Sequence, residues 1–335
     1  MDDKIKIDRG ILHILDIENG MPIFSDNFLE DDEASLDFVY AHILNLIDDL
    51  KVKKLFFREE DNKVRIIAEK LSEDGEYFLE ATKEIGQIFY GLLDKYVDIS
   101  AGDYIFVKFD MNGDPCFGMF KFPYKESYIH YVESSENGQQ NKIIRQMTTL
   151  PGLKQKIGEC FIINLNTLEV YLKEKKCEID GEKRYYLSEL VLEVEEGKST
   201  YEKMKQCEQT MKSVVKKYCD DEQKAMQKFK SEMSRKAFED EEIVFEEIVD
   251  AVFKEQHEIK EICKDEMDKK GLLKDKIEVS EPVQKTLTKK HKILIDEGIE
   301  IKLPVEYLDR QDKIEIINNP DGSLSFIIKN INKIK

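Results

Sequence analysis

No two cysteines of this sequence stand at C-x-x-C spacing. Its six, at 116, 160, 177, 207, 219 and 263, are scattered, and three of them lie in charged, helix-like sequence. That spacing fits neither a zinc site nor the dense framework of a small secreted domain, and it predicts reduced thiols used for packing. No apolar run comes near the ~18–20 residues that span a bilayer, and the opening MDDKIKIDRG lacks the charged-then-apolar pattern of a signal peptide. The expectation is a soluble intracellular protein without a membrane partner. Also missing are G-x-G-x-x-G after a strand, a Walker loop, G-x-S-x-G and H-E-x-x-H, so the usual dinucleotide, nucleotide-hydrolysing, esterase and zinc-protease signatures do not apply. Positive charge is in deficit: 52 Lys+Arg stand against 70 Asp+Glu, a net charge of −18. An overall polyanion repels nucleic acid unless its positive charge is gathered locally.

What is present suffices for a folded core. The 335 residues are 41% hydrophobic and 10% aromatic, which excludes a disordered acidic tail and favours two domains. KIDRGILHIL reads as a strand broken at Asn19-Gly20 and Pro22. Leu36, Val39, Tyr40, Ile43, Leu44, Ile47 and Leu50 recur at helical spacing, as do the apolar residues of NKVRIIAEKL and of Tyr77 to Tyr96. From Gly102 on, DYIFVKFD, CFGMFKFP, SYIHYVES, NKIIRQMTT, ECFIINL, LEVYLKEK and RYYLSELVL are short, β-rich segments. Turn signals at Asn112-Gly113, Asn137-Gly138, Pro151-Gly152 and Asp180-Gly181 separate them, which predicts an antiparallel meander.

A boundary is expected near Glu196-Gly197, giving an α+β domain over 1–196 and a charged helical segment with a terminal β-hairpin over 197–335. Tyr201, Met204, Cys207, Met211, Val214 and Tyr218 trace one helix face, resumed by Ala225, Phe229, Met233 and Ala237. Asp220-Asp221 interrupts the stripe, so a hairpin or kink is expected there rather than a long coiled coil. In KIEIINNPDGSLSFIIKNI, two alternating runs flank Asn319-Pro320-Asp321-Gly322, a hairpin signal.

Resolved along the chain, the lysines separate from the acids. Residues 141–157 contain Lys142, Arg145, Lys154 and Lys156 and no acid; residues 201–237 carry ten bases and six acids, and the next thirteen residues hold seven acids and no base. A third group is Lys285, Lys289, Lys290 and Lys292. On a helix, Lys205, Lys212 and Lys216 form a strip clear of the apolar seam, and Lys217, Lys224 and Lys228 repeat the spacing. Such a strip suits a phosphate backbone, although a solvated helix face or a hairpin with lysines on its solvent side explains the same patterns. No base-reading module is present, so DNA binding would be weak, sequence-tolerant and salt-sensitive.

Other chemistry is thin. Asp110-Met111-Asn112-Gly113-Asp114 has a misplaced glycine for a calcium loop, with Lys121 where the closing Glu belongs, and reads as a hairpin turn. The histidines, at 13, 42, 130, 257 and 291, have no ligand or nucleophile at useful spacing, and structural roles are expected for His13 and His42. Glu174-x-Lys176 is the only trace of a metal-dependent nuclease, and in a sequence this rich in both residues it arises by chance.

Leu12-His13-Ile14-Leu15 in the opening strand, the Pro22 to Ser25 turn, and a first helix carrying His42 form one set of features. Gly298-Ile299-Glu300-Ile301-Lys302-Leu303-Pro304 and the Asp321-Gly322 hairpin form another. Together, in this order around a β-rich middle and a charged helical region, they resemble the bacterial nucleoid-associated protein family of the NdpA/YejK-like kind. The resemblance implies a cytoplasmic protein at the nucleoid, with no catalytic residues to carry over. The resulting expectation is a non-enzymatic DNA-associated protein without cofactor, capable of dimerising. The alternative is an adaptor that binds a DNA-processing protein and touches no DNA.

Overall fold

The β-branched opening segment forms strand β1 (Ile5–Leu15), paired antiparallel with β3 (Gly102–Met111). The structure is a computed structural model, and it describes residues 5–135, 138–288, 291–295, 299–303, 313–319 and 324–330. The chain divides into two units, Met1–Ser199 and Thr200–Lys335.

In the first unit, β1 and β3 join β4 (Asp114–Pro123), β7 (Glu159–Asn164), β8 (Val170–Lys173) and β2 (Lys53–Leu55) in a six-stranded antiparallel sheet of order β1-β3-β4-β7-β8-β2. The expected meander is therefore its centre. The β3–β4 turn places Asn112 at φ 56° and Gly113 at φ 94°, and Asp110 Oδ1 accepts the Gly113 N–H at 2.7 Å. Two successive left-handed residues match the twist of a tight hairpin, so this loop is a turn and not a calcium site.

Both faces of the sheet are buried, which is why its strands are nearly continuous in apolar residues. Helices α2 (Lys63–Glu73) and α3 (Phe78–Lys95) share one core with Phe106, Phe117 and Phe161, contributing Ile67, Phe78 and Phe89. Helix α1 (Glu33–Ile47) sets Val39, Ile43 and Leu46 against Ile105, Phe109, Phe120 and Ile162 of the other face. The Asp32 side chain caps α1 by accepting Ser35 N–H, and Asn62 caps α2 by accepting from Val64 and Arg65 N–H.

Three segments depart from the simple meander. Strands β5 (Ser127–Ser135) and β6 (Gly138–Gln146) pair only with each other, as a ribbon outside the main sheet. The segment RYYLSELVL is not a strand. After β9 (Cys177–Ile179) and β10 (Glu182–Arg184) it winds into a helical turn over Leu187–Val191. Carboxylates set that turn: Glu189 accepts Tyr185 N–H, and Glu174, from beyond the end of β8, accepts Ser188 N–H.

The second unit begins with α4 (Thr200–Tyr218) and α5 (Glu222–Glu239), which pack on each other across the Asp220-Asp221 break. Asp221 caps α5 by accepting Lys224 N–H. The stripe is buried at Cys207, Met211, Val214, Phe229, Met233 and Ala237, while Tyr201 and Tyr218 at the ends of α4 stay exposed. Helices α6 (Phe245–Val252) and α7 (His257–Asp268) and the pair β11 (Glu242–Val244) and β12 (Lys276–Glu278) follow, then α8 (Glu281–Leu287). The tail holds two hairpins, β13 (His291–Ile295) with β14 (Ile299–Leu303), and β15 (Ile314–Asn318) with β16 (Leu324–Ile328). Strands β15 and β16 are the alternating runs read from the sequence. Gly298, Pro304, Asp321, Gly322, Lys289 and Lys290 lie outside the described residues.

Candidate nucleic-acid interface

The division into units redistributes the charge. Met1–Ser199 has 25 Lys+Arg against 40 Asp+Glu, net −15, whereas Thr200–Lys335 has 27 against 30, net −3. Most of the acidity thus belongs to the first unit. Within the second, the seven-acid run after α5 is answered locally. Asp240 and Glu247 pair with Lys236, Glu246 and Asp250 with Lys264, and Glu242 with Lys276.

Lys205, Lys212 and Lys216 are exposed on one line along α4, spanning ~16 Å at 1.5 Å per residue. Lys212 pairs with Glu208 at 2.7 Å, one turn away; Lys205 and Lys216 have no ion-pair partner among the described residues. Lys230 of α5 stands near enough to feel both Glu208 and Lys212. Burial pushes its ammonium pKa down, Glu208 opposes the shift, and Lys212 adds to it. The two helices therefore bring a fourth cation to the edge of the strip. Lys217 turns away around α4, with its ammonium 5.0 Å from the ring centre of Tyr218. On α5, Lys224 is exposed, and Lys228 donates to the Val252 carbonyl at 2.8 Å.

The other basic segment belongs to the first unit and is not acid-free in space. Lys142 pairs with Glu133 across the β5–β6 ribbon, Arg145 with Glu126, and Lys156 with Asp49 at 3.2 Å, while Lys154 has no ion-pair partner among the described residues. The register puts Lys142 opposite Tyr131 and Arg145 opposite Tyr128, on opposite faces of the ribbon. Neither face is covered within the first unit: Tyr128, Ile129, Tyr131, Val132, Ile143 and Ile144 are all exposed, Ile143 to 81%. The ribbon takes in only the first part of the 141–157 segment, and the sequence reading missed the apolar side chains that stand in solvent beside Lys142 and Arg145.

The residues that carry the resemblance do structural work. His13 is fully buried; its Nδ1 accepts the Ser25 N–H at 3.2 Å and its Nε2 lies 3.0 Å from Thr82 Oγ1, whose hydroxyl donates to the Leu79 carbonyl. One ring thus ties β1 to the Pro22–Ser25 turn and to α3, and Phe24 of that turn packs edge-on against it at 5.1 Å. His42 is wedged between Phe38 and Phe122 with neither ring nitrogen hydrogen-bonded. Burial pushes both imidazoles down to about 4. Glu174 is likewise structural: its carboxylate is 1% exposed, paired with Lys53 at 3.0 Å and bonded to Ser188 N–H, while Lys176 sits over the Tyr185 ring.

Sequence reasoning overlooked a buried charge. Lys121 on β4 lies directly between Tyr104 on β3 and Glu159 on β7, all on the face that meets α3. Its ammonium is 3.4 Å from Glu159 and 3.2 Å from the Tyr186 hydroxyl, which itself donates to Glu159 at 2.6 Å. Burial pushes the Lys121 pKa down, and Glu159 opposes the shift. The Tyr104 hydroxyl is buried with no partner.

Residues 11–335 match the family described as nucleoid-associated protein YejK. The chain belongs to this family. No curated protein matches it individually. Membership of the nucleoid-associated family gives the chain a nucleoid-associated role. No helix among the described residues is long and apolar enough to cross a membrane.

Proposed function

We propose that this nucleoid-associated protein is non-enzymatic and binds DNA through backbone phosphates, with the α4 strip of Lys205, Lys212 and Lys216 as the principal contact. The observation that carries the reading is the line of three exposed ammonium groups over ~16 Å of helix, a span of about five base-pair steps along a duplex axis at 3.4 Å each. Lys224 and Lys230 are secondary contacts, and Lys154, in the first unit, is a separate candidate. Lys142, Arg145, Lys156 and Lys228 are engaged elsewhere in the protein and Lys217 turns away from the strip, so they contribute less, and Lys212 exchanges Glu208 for a phosphate on binding. Contacts of this kind carry no base information, so binding is sequence-tolerant, and the acidic first unit keeps it weak. Polarisation titration of a fluorescent duplex at two salt concentrations is expected to show binding that weakens as salt rises, equally for unrelated sequences. No binding at low salt would favour the adaptor reading, which the −15 charge of the first unit supports as a surface for a basic protein partner.

Dimerisation belongs to the same proposal, because it doubles the phosphate contacts per particle. Its seat in this reading is the β5–β6 ribbon, since an isolated two-stranded hairpin with apolar residues on both faces is marginal in water. Ile143→Lys combined with Tyr128→Ser should convert a sedimenting dimer into a monomer. A monomeric wild type, or a variant that still dimerises, would contradict it.

A further inference from the structure

We propose that a lysine-lined cleft at the end of the N-terminal sheet binds a phosphate group. The cleft, of about 260 Å³, lies where β4 ends, β7 begins and β8 gives way to the following loop, and its walls include Lys121, Lys125, Thr149, Gln155, Lys156 and Lys175. Three exposed lysines, Lys125, Lys156 and Lys175, from three separate stretches of chain thus meet at the cleft, with the buried Lys121 behind them.

Too few carboxylates answer them. Glu159 serves Lys121, and Asp49 serves Lys156 while also holding Lys173 at 2.6 Å. Lys125 and Lys175 have no ion-pair partner among the described residues. Lys175 is close enough to the buried Lys121 for its charge to add to the downward push on that ammonium, so the two cations repel each other. An anion placed there relieves that repulsion and gains charge-assisted hydrogen bonds from both rim lysines.

The backbone leaves room for Lys175. A Cβ at Gly158 would collide with Cε and Nζ of Lys175, so only glycine lets that side chain lie flat over the main chain with its ammonium at the cleft. The Thr149 hydroxyl, which donates to the Lys125 carbonyl at 2.8 Å, and the Gln155 amide add polar groups to the wall. Tetrahedral oxyanions suit this donor set, and the cleft has room for one or two phosphate groups. The source is either a small phosphorylated molecule or a nucleic-acid backbone. The proposal stands on the first unit alone and is independent of the α4 strip.

Isothermal titration of the full chain with inorganic pyrophosphate tests it. Saturable binding is expected, weakened by about tenfold or more in Lys175→Ala and in Lys125→Ala, whose side chains are exposed and can be removed without disturbing the core. Gly158→Ala, which displaces Lys175, should weaken it too, and Lys269→Gln, an exposed lysine in neither site, should leave it unchanged. Absence of saturable heat, or wild-type affinity in Lys175→Ala, overturns the proposal. Competition with a duplex oligonucleotide then separates the sources: displacement of pyrophosphate by duplex identifies a backbone phosphate, and coexistence identifies a small phosphorylated ligand.

Discussion

Glu159→Gln is expected to destabilise the first unit by about 3–5 kcal/mol, the usual cost of removing one partner from a buried ion pair. Lys121 is fully buried in the middle of the sheet, and Glu159 is the only carboxylate bonded to its ammonium among the described residues. Without that charge the ammonium must either stay uncompensated or lose its proton, and Tyr186 also loses an ionised acceptor at 2.6 Å. Lys121→Met is expected to cost less, because Glu159 keeps its bond from Tyr186. Replacing both, Lys121→Met with Glu159→Leu, should recover most of the loss, since a well-packed apolar pair often matches a buried ionic one. The protein has no Trp and two units, so a single optical melt would blend transitions. Hydrogen exchange of β4 and β7 amides reports the relevant unit directly. Unchanged protection in Glu159→Gln would contradict this account of the pair.

The second large effect is on acid stability. His13 and His42 are pushed down to about 4 in the folded protein, against 6.5 for an ordinary imidazole. Between those values the unfolded chain binds the extra protons, so stability falls as pH drops from about 6.5 to about 4, by up to about 3 kcal/mol per histidine. Above pH ~7 the contribution is fully present. Protonating His13 also removes the acceptor for Ser25 N–H and loosens the turn from β1. His42 has no bonds to lose, so His42→Leu should be neutral or stabilising near pH 7.5, and it should remove about 2 kcal/mol of the fall between pH 7.5 and pH 5. If His42→Leu keeps the full wild-type slope, burial of that ring is not what depresses its titration.

Much of this fold could be read from local pattern. The apolar spacing of α1 and α3, the Asn112-Gly113 turn and the Asp220-Asp221 break each depend on residues adjacent in sequence or one helical turn apart. The failures share one cause, which is a partner far away along the chain. RYYLSELVL is apolar enough for strand or helix, and Glu174 and Glu189 decide it by bonding the first N–H groups of the turn. Lys121 occupies a strand position that reads as solvent-facing until Glu159, 38 residues on, is placed beside it. Residues 141–157 lack acids, yet Glu126, Glu133 and Asp49 are folded against them. Of the lysine-rich stretches, the one on α4 keeps its lysines in line because a helix holds them there.

The measurement that bears most directly on DNA contact through α4 is the salt slope of binding, compared between the wild type and the Lys205→Gln, Lys212→Gln, Lys216→Gln triple variant. Each phosphate contact contributes about 0.9 to the slope of log affinity against log salt on duplex DNA. Losing three contacts should lower the slope by about 2–3 and weaken binding alike for unrelated sequences. A triple variant that retains both the affinity and the slope of the wild type would show that α4 does not touch the phosphate backbone.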